Sequence, residues 1–239
     1  MKIKLSKKDT EKAGELKLDL DIYLEIKKAG LLKKCSPEQK CSFGSTSNAL
    51  SSLLNKYRID DLIKIRTNEY KKGKELFIGS LFGFILEKIT KNNFVVCIPY
   101  KDSEGVDLYI REIDYKKKNI IIHPIQICEF PEKYLKITNK PFEDNLFNFI
   151  IDKKFRFVSS NTMLLVWIEL ENNKRLERDS IIKLIERFKG CKINPYGQIV
   201  LIGRAKDAIF NILTLYSKSN DYFVLQYNIE NNKIGQMKI

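Results

Sequence analysis

The sequence predicts an α/β fold in which a mixed central β-sheet is flanked by helices. The chain has 239 residues, of which 44% are hydrophobic, so it can bury a sizeable core. Apolar residues follow helical spacing up to about residue 91 and then form continuous strand-like stretches up to residue 130. From residue 143 onward, helical and strand patterns alternate, which indicates crossover connections and parallel strand pairing.

Residues 1–44 form an N-terminal extension whose structure the sequence leaves open. Its apolar stretch, LDLDIYLEIKKAGLLKK, fits one strand or one amphipathic helix. Helical patterns follow at 45–57 and 59–70, which makes the part of the chain ahead of the core mainly helical. We expect residues 45–239 to form a single domain with a core at about 73–205.

The next stretch predicts one long helix and three strands. KGKELFIGSLFGFILEKITKNN carries a broad apolar stripe, and the two glycines of its GSLFG segment indicate close contact between helices. Strands are predicted at 94–100, 106–113 and 119–130. Because the links KDSEG and DYKKK are short, these strands are expected to form an antiparallel meander.

The remaining sequence predicts three further helices and three further strands. In chain order these are a helix at 143–152, a strand at 163–170, a helix at 176–190, a strand at 198–205, a helix at 207–218 and a final edge strand with a turn. Trp167 is expected in the core, and Tyr196 is expected to be exposed at the start of its strand.

The charge of the chain points to an anionic partner. Its 43 Lys and Arg residues against 30 Asp and Glu residues give a net charge of +13, which attracts polyanions such as nucleic acid. A lysine-rich surface that only solvates the protein fits the same numbers.

The sequence also limits where the protein is expected to act. No apolar run of about 18 residues and no secretory leader is visible, so we expect a cytoplasmic protein without a membrane partner. Its five scattered cysteines form no C-x-x-C pair and the chain has one histidine, so reduced thiols are expected instead of a zinc site.

Four residues stand out by their order along the predicted elements. Glu87 lies near the end of the long helix, Asp107 opens the second strand, and Gln126 and Cys128 lie two residues apart on the third. This order resembles the restriction-endonuclease-like, or PD-(D/E)XK, nuclease superfamily. The stretches that carry the resemblance are GSLFGFILEKI, EGVDLYIRE and IIIHPIQIC.

The resemblance implies a Mg²⁺-dependent endonuclease site. It implies that Glu87, Asp107 and Gln126 hold the metal and that Cys128 occupies the position of an assisting lysine. Mg²⁺ prefers hard oxygen ligands and can activate a bound water at neutral pH. A thiol with a reference pKa near 8.5 is mostly neutral at pH 7 and cannot replace an ammonium group. Losing one such charge typically costs on the order of 10²–10³ in rate.

Two functions therefore fit the sequence. The first is a nucleic-acid-binding protein related to Mg²⁺-dependent nucleases, with impaired or lost catalysis, DNA being the expected partner before RNA. Arg111, Lys133 and Lys136 are its candidate nucleic-acid contacts. The second is a non-catalytic binding or assembly protein that holds nucleic acid or a protein partner on the same scaffold. A homodimer fits either function. Each of the four site residues also has a purely structural alternative, as a polar helix face, a turn residue or part of the core.

Overall fold

Four helices and eight strands occur in the residues that the computed structural model describes, namely 11, 45–60, 68–97, 105–131, 141–155, 161–169, 177–191, 194–206 and 208–236. The helices are α1 (Thr46–Lys56), α2 (Asn68–Thr90), α3 (Phe142–Lys154) and α4 (Arg178–Gly190). The strands are β1 (Asn93–Cys97), β2 (Leu108–Asp114), β3 (Asn119–Phe130), β4 (Met163–Glu169), β5 (Gln198–Lys206), β6 (Ile209–Ser217), β7 (Val224–Asn228) and β8 (Lys233–Gln236).

The strands are hydrogen-bonded in chain order, from β1 at one edge to β8 at the other. β1 pairs antiparallel with β2, whereas β3, β4 and β5 pair parallel. β5 to β8 are antiparallel. The predicted mixed sheet is confirmed, and helices α3 and α4 make the two crossovers that parallel pairing requires.

The chain divides into two compact units. Unit 1 consists of Met1–Ser103 with Asp107–Pro124, and unit 2 of Glu104–Val106 with Ile125–Ile239, so β3 contributes residues to both. In unit 1, α2 packs against β1 and β2. Its buried side chains include Phe77, Leu81 and Ile85, each of which is fully excluded from solvent.

The core of unit 2 lies between the helices and one face of the sheet. Leu164, Val166 and Ile168 alternate along β4 and meet apolar residues of α3 and α4. α4 contributes Leu184 and Phe188, four residues apart on one helix face. Burying a side chain of this size stabilises a fold by about 1.5–3 kcal/mol, so this cluster is a major source of stability for unit 2.

Most of the predicted elements are confirmed, and one is wrong. The segment 207–218 was expected to be a helix, but Ile209–Ser217 forms strand β6, which pairs antiparallel with β5. Its sequence, IFNILTLYS, is mostly apolar, and a short apolar run fits a buried strand as well as a helix. Pairing with β5 decides between them.

The expectation for Tyr196 is also wrong, because its side chain is fully buried. Trp167 is 2% exposed and lies in the core as expected. The expectations for residues 1–10 and 12–44, including the apolar stretch of the extension, and for residues 61–67 of the second helical pattern lie outside the described residues. Among the described helices, none is both long and apolar enough to cross a membrane.

Candidate metal and nucleic-acid site

Two glycines position helix α2 in unit 1. A Cβ atom added at Gly79 would lie 2.4 Å from Cδ2 of Leu108, and one at Gly83 would lie 2.5 Å from Cγ2 of Thr46 and 3.7 Å from Cδ1 of Ile110. Glycine therefore allows α2 to approach both β2 and α1 closely. Because Gly79 meets Leu108 and Gly83 meets Ile110, α2 and β2 run in the same direction.

Glu87 lies one turn after Gly83, on the helix face that meets α1. The hydroxyl of buried Thr46 donates a hydrogen bond to Oε2 of Glu87 at 3.0 Å. Burial raises the pKa of the Glu87 carboxyl, and the hydrogen bond from Thr46 partly offsets this. The surroundings of Glu87 are therefore explained by packing between two helices.

Glu87 and Asp107 lie toward opposite ends of β2. Asp107 directly precedes Leu108, the contact of Gly79, whereas Glu87 follows Gly79 by eight residues. At 1.5 Å per residue this displaces Glu87 by about 12 Å along the helix. The far end of β2 is also where Asn92, just beyond α2, donates to Glu112. The structure does not bring the carboxylates of Glu87 and Asp107 together.

Glu75 is the carboxylate of α2 that lies nearer to Asp107. It is one turn before Gly79, on the same helix face, and it is 8% exposed. Its neighbour Lys74 is 5% exposed, so two charged side chains are buried at this end of the helix. The spacing of four residues from Gly79 places Glu75 on the glycine face of α2.

Gln126 lies in unit 2 and is held by Tyr196. The Tyr196 hydroxyl lies 2.5 Å from Oε1 of Gln126 and 3.0 Å from the carbonyl oxygen of Lys154. Gln126 is 8% exposed, and a buried amide requires such a partner. The oxygen that a metal would need is already accepting a hydrogen bond inside the unit.

Cys128 lies on the same face of β3 as Gln126 and is 2% exposed. It belongs to the apolar cluster between the sheet and helices α3 and α4, and its thiol is not in a disulfide. Glu129, the next residue, is exposed. The structure thus places a small apolar side chain where a nuclease-like site would need an ammonium group.

The candidate nucleic-acid contacts divide into one buried residue and two outside the described part of the chain. Arg111 lies in β2, is 5% exposed and is paired across the ladder with Val95. Lys133 and Lys136 lie outside the described residues. These three assignments stay predictions.

Mg²⁺ binding stays a prediction for this chain. Within the ranges that the structure describes, no three side chains of His, Cys, Asp or Glu gather as a metal would require. Mg²⁺ binding in proteins usually involves carboxylates, and Glu87 points to Thr46 while Gln126 is bonded to Tyr196. We therefore derive no reaction step through a metal.

Comparison of the chain with protein-family models, curated proteins and solved structures gave no match. The nuclease resemblance consequently rests on the residue pattern and the order of elements.

Proposed function

We propose that the protein binds nucleic acid on a restriction-endonuclease-like core and that phosphodiester hydrolysis is impaired or lost. The observation that carries the loss of hydrolysis lies on β3, where both residues that deviate from the nuclease motif make structural contacts. Gln126 is bonded to Tyr196, and Cys128 lies in an apolar cluster.

The order of elements supports the nuclease-like core. Helix α2 is followed by three consecutive strands, and α3 and α4 then connect parallel strands β3, β4 and β5. This is the succession that the resemblance implies over residues 73–205. Asp107 directly precedes β2, as the motif requires.

The charge of the chain supports an anionic partner. A net charge of +13 on 239 residues produces a positive potential that attracts phosphate groups and accelerates association. Because such contacts release counterions, binding is expected to weaken steeply as salt is added. We propose DNA as the partner.

Loss of cutting follows from the chemistry of position 128. The buried Cys128 thiol carries no positive charge with which to stabilise the negative charge that grows on a phosphate during hydrolysis. The described part of the chain also contains no group of three His, Cys, Asp or Glu side chains that could hold a metal ion. Both features favour impaired or lost hydrolysis over an active nuclease.

Cleavage and binding are measured on the same preparation. Plasmid and single-stranded DNA are incubated with the protein and Mg²⁺ or Mn²⁺, and DNA binding is measured by electrophoretic mobility shift. We expect binding without a nicked or linear product. A product that forms with the wild type and disappears in Asp107→Ala would overturn the loss of catalysis.

Cys128→Lys provides a second, independent test. An ammonium group placed in this apolar cluster loses its hydration, so we expect a less stable protein that still does not cut. A variant that is as stable as the wild type and cleaves DNA would show that position 128 faces an intact, open site.

A further inference from the structure

Two large apolar side chains are exposed at one end of unit 1. Ile89 and Ile121 are 44% and 42% exposed, and they are the large hydrophobic residues that the described ranges leave exposed. Ile89 lies on the last turn of α2, and Ile121 lies at the start of β3.

Hydrogen bonds join these two segments at the same end of unit 1. Asn92 donates to Oε1 of Glu112 at 2.7 Å, and the other carboxylate oxygen of Glu112 lies 3.2 Å from Nε2 of His123. Asn93 donates to the hydroxyl of Tyr115 at 3.4 Å. The end of α2, the turn after β2 and the start of β3 therefore form one continuous surface.

Five lysines lie on this surface. We call the set of Lys88, Lys91, Lys116, Lys117 and Lys118, with Ile89 and Ile121, the lysine edge. Lys91 and the three lysines of the turn are exposed. The nearby acidic groups are engaged locally, since Glu112 is bonded to Asn92 and His123, and Asp114 accepts from the backbone N–H of Lys117. The side chain of Lys117 is 83% exposed although its Nζ lies 3.7 Å from Asp114.

Two of these lysines hold a backbone conformation that lysine does not favour. Among the described residues, four that are not glycine have positive φ, and two of them, Asn220 and Asn232, belong to a residue type that tolerates it. The other two are Lys91, with φ of 63°, and Lys118, with φ of 49°. Glycine would adopt this conformation more easily. Both departures occur on the lysine edge, Lys91 at the end of α2 and Lys118 in the turn before β3.

We propose that the lysine edge is the surface on which the phosphate backbone of a nucleic acid binds. This inference rests on the proposed function and names the surface that carries it. Ammonium groups on two adjoining segments complement a line of phosphates, and the exposed isoleucines supply apolar contact with sugars or base faces. A lipid surface is less well matched, because membrane-surface binding typically uses a helix with an extended apolar face.

The test uses a double variant that removes two positive charges and places glycine at the two positions with positive φ. Lys91→Gly with Lys118→Gly is expected to leave the melting temperature unchanged or higher, because glycine suits positive φ. Affinity for a labelled DNA duplex, measured by fluorescence anisotropy over a salt series, is expected to fall on the order of tenfold. The slope of log K against log salt is expected to shrink by about 1.8, or 0.9 for each lost phosphate contact.

Two matched controls separate backbone and charge effects. Asn220→Gly with Asn232→Gly makes the same backbone change in unit 2 without losing charge. Lys153→Gln with Lys233→Gln removes two exposed positive charges from unit 2 and leaves the lysine edge in unit 1 unchanged. Both controls are expected to bind DNA within about twofold of the wild type, in line with the small effect of surface changes away from a site.

The outcomes distinguish the two proposals. A wild type that does not bind DNA overturns the proposed function. A wild type that binds, together with a Lys91→Gly and Lys118→Gly variant of equal affinity and slope, overturns only the lysine edge. An equal loss in the Lys153→Gln and Lys233→Gln control also overturns it, and so does binding to phosphatidylserine vesicles in preference to the duplex.

Discussion

Gln126 illustrates how a polar residue is accommodated in an apolar strand. Its carbonyl oxygen accepts a hydrogen bond from the hydroxyl of Tyr196. Tyr196 lies 70 positions later in the chain and is itself fully buried. A buried amide without a partner costs about 1–3 kcal/mol, so this contact explains why an amide is tolerated at that position. The sequence showed that Gln126 needed a partner but contained no local signal that identified Tyr196.

Tyr196→Phe tests this contact. The change removes the hydroxyl but keeps the ring, and it leaves the oxygens of Gln126 and Lys154 without this donor. We expect the free energy of unfolding in urea to fall by about 1–3 kcal/mol. Tyr216→Phe, at a half-buried tyrosine, is the control and is expected to change stability by less than about 0.5 kcal/mol. Equal stability of the Tyr196→Phe variant and the wild type would contradict the assignment.

Glu87 makes the stability of unit 1 depend on pH. Burial raises its pKa above the ordinary value of 4.5, so the folded state binds the proton more tightly than the unfolded state. The stability that this gives is present at low pH and is lost as the pH rises through the folded pKa. We expect Glu87→Gln to be more stable than the wild type at about pH 7, with a smaller difference at about pH 4.

Glu112→Gln provides the comparison of opposite sign. The hydrogen bond with His123 is the main reason that the pKa of Glu112 is lowered. Its stabilising effect is present near neutral pH and is lost as the pH falls through the folded pKa, so this variant is expected to be less stable than the wild type at about pH 7. Urea titrations at both pH values measure each difference. The same sign for both variants at pH 7 would contradict the account.

At the scale of elements, helix α2 depends on its two internal glycines. In Gly83→Ala the new methyl group would lie 2.5 Å from the buried, β-branched Thr46, which also donates to Glu87. We expect the free energy of unfolding to fall by about 1–2 kcal/mol, since overpacking exceeds the gain in helix propensity.

Gly73→Ala is the matched control within the same helix. A Cβ at Gly73 meets no atom within 4 Å, so helix propensity alone acts and stability is expected to rise by up to about 1 kcal/mol. Thermal or urea unfolding measures the change in stability of both variants relative to the wild type. A Gly83→Ala protein that is stabilised as much as Gly73→Ala would show that α1 and α2 are not in close contact.

The elements differ in how well the sequence predicted them. β3 was predicted to its exact ends, and α2 was predicted correctly except that it begins at Asn68, within the segment expected to end the preceding helix. β6 was predicted as a helix, since nine largely apolar residues fit both structures, and only its antiparallel partner β5 decides. Secondary structure set by distant pairing is not encoded locally.

At the scale of the whole molecule, the sequence predicted a mixed sheet with parallel strands at its centre, and the structure confirms this. The candidate site was predicted less well. The choice of Glu87 rested on its place in the helix, but the contacts of Gly79 and Gly83 fix the direction of α2 along β2 and place Glu75 nearer than Glu87 to the end of β2 where Asp107 lies. Such a contact between elements follows from packing and not from spacing along one element.

The charge of the molecule has a direct consequence for binding. If the five lysines of the lysine edge each contact one phosphate, the slope of log K against log salt is about −4.5. A fourfold increase in salt then weakens binding on the order of 500-fold. The salt dependence of binding therefore comes from the five lysines together and not from any single residue.

The most direct test of the central claim is the affinity of the wild-type protein for a labelled DNA duplex, measured between about 50 and 200 mM salt. The account predicts binding at low salt that weakens linearly on logarithmic axes, with a slope corresponding to several phosphate contacts. Absence of binding at low salt, or an affinity that does not change with salt, would contradict it.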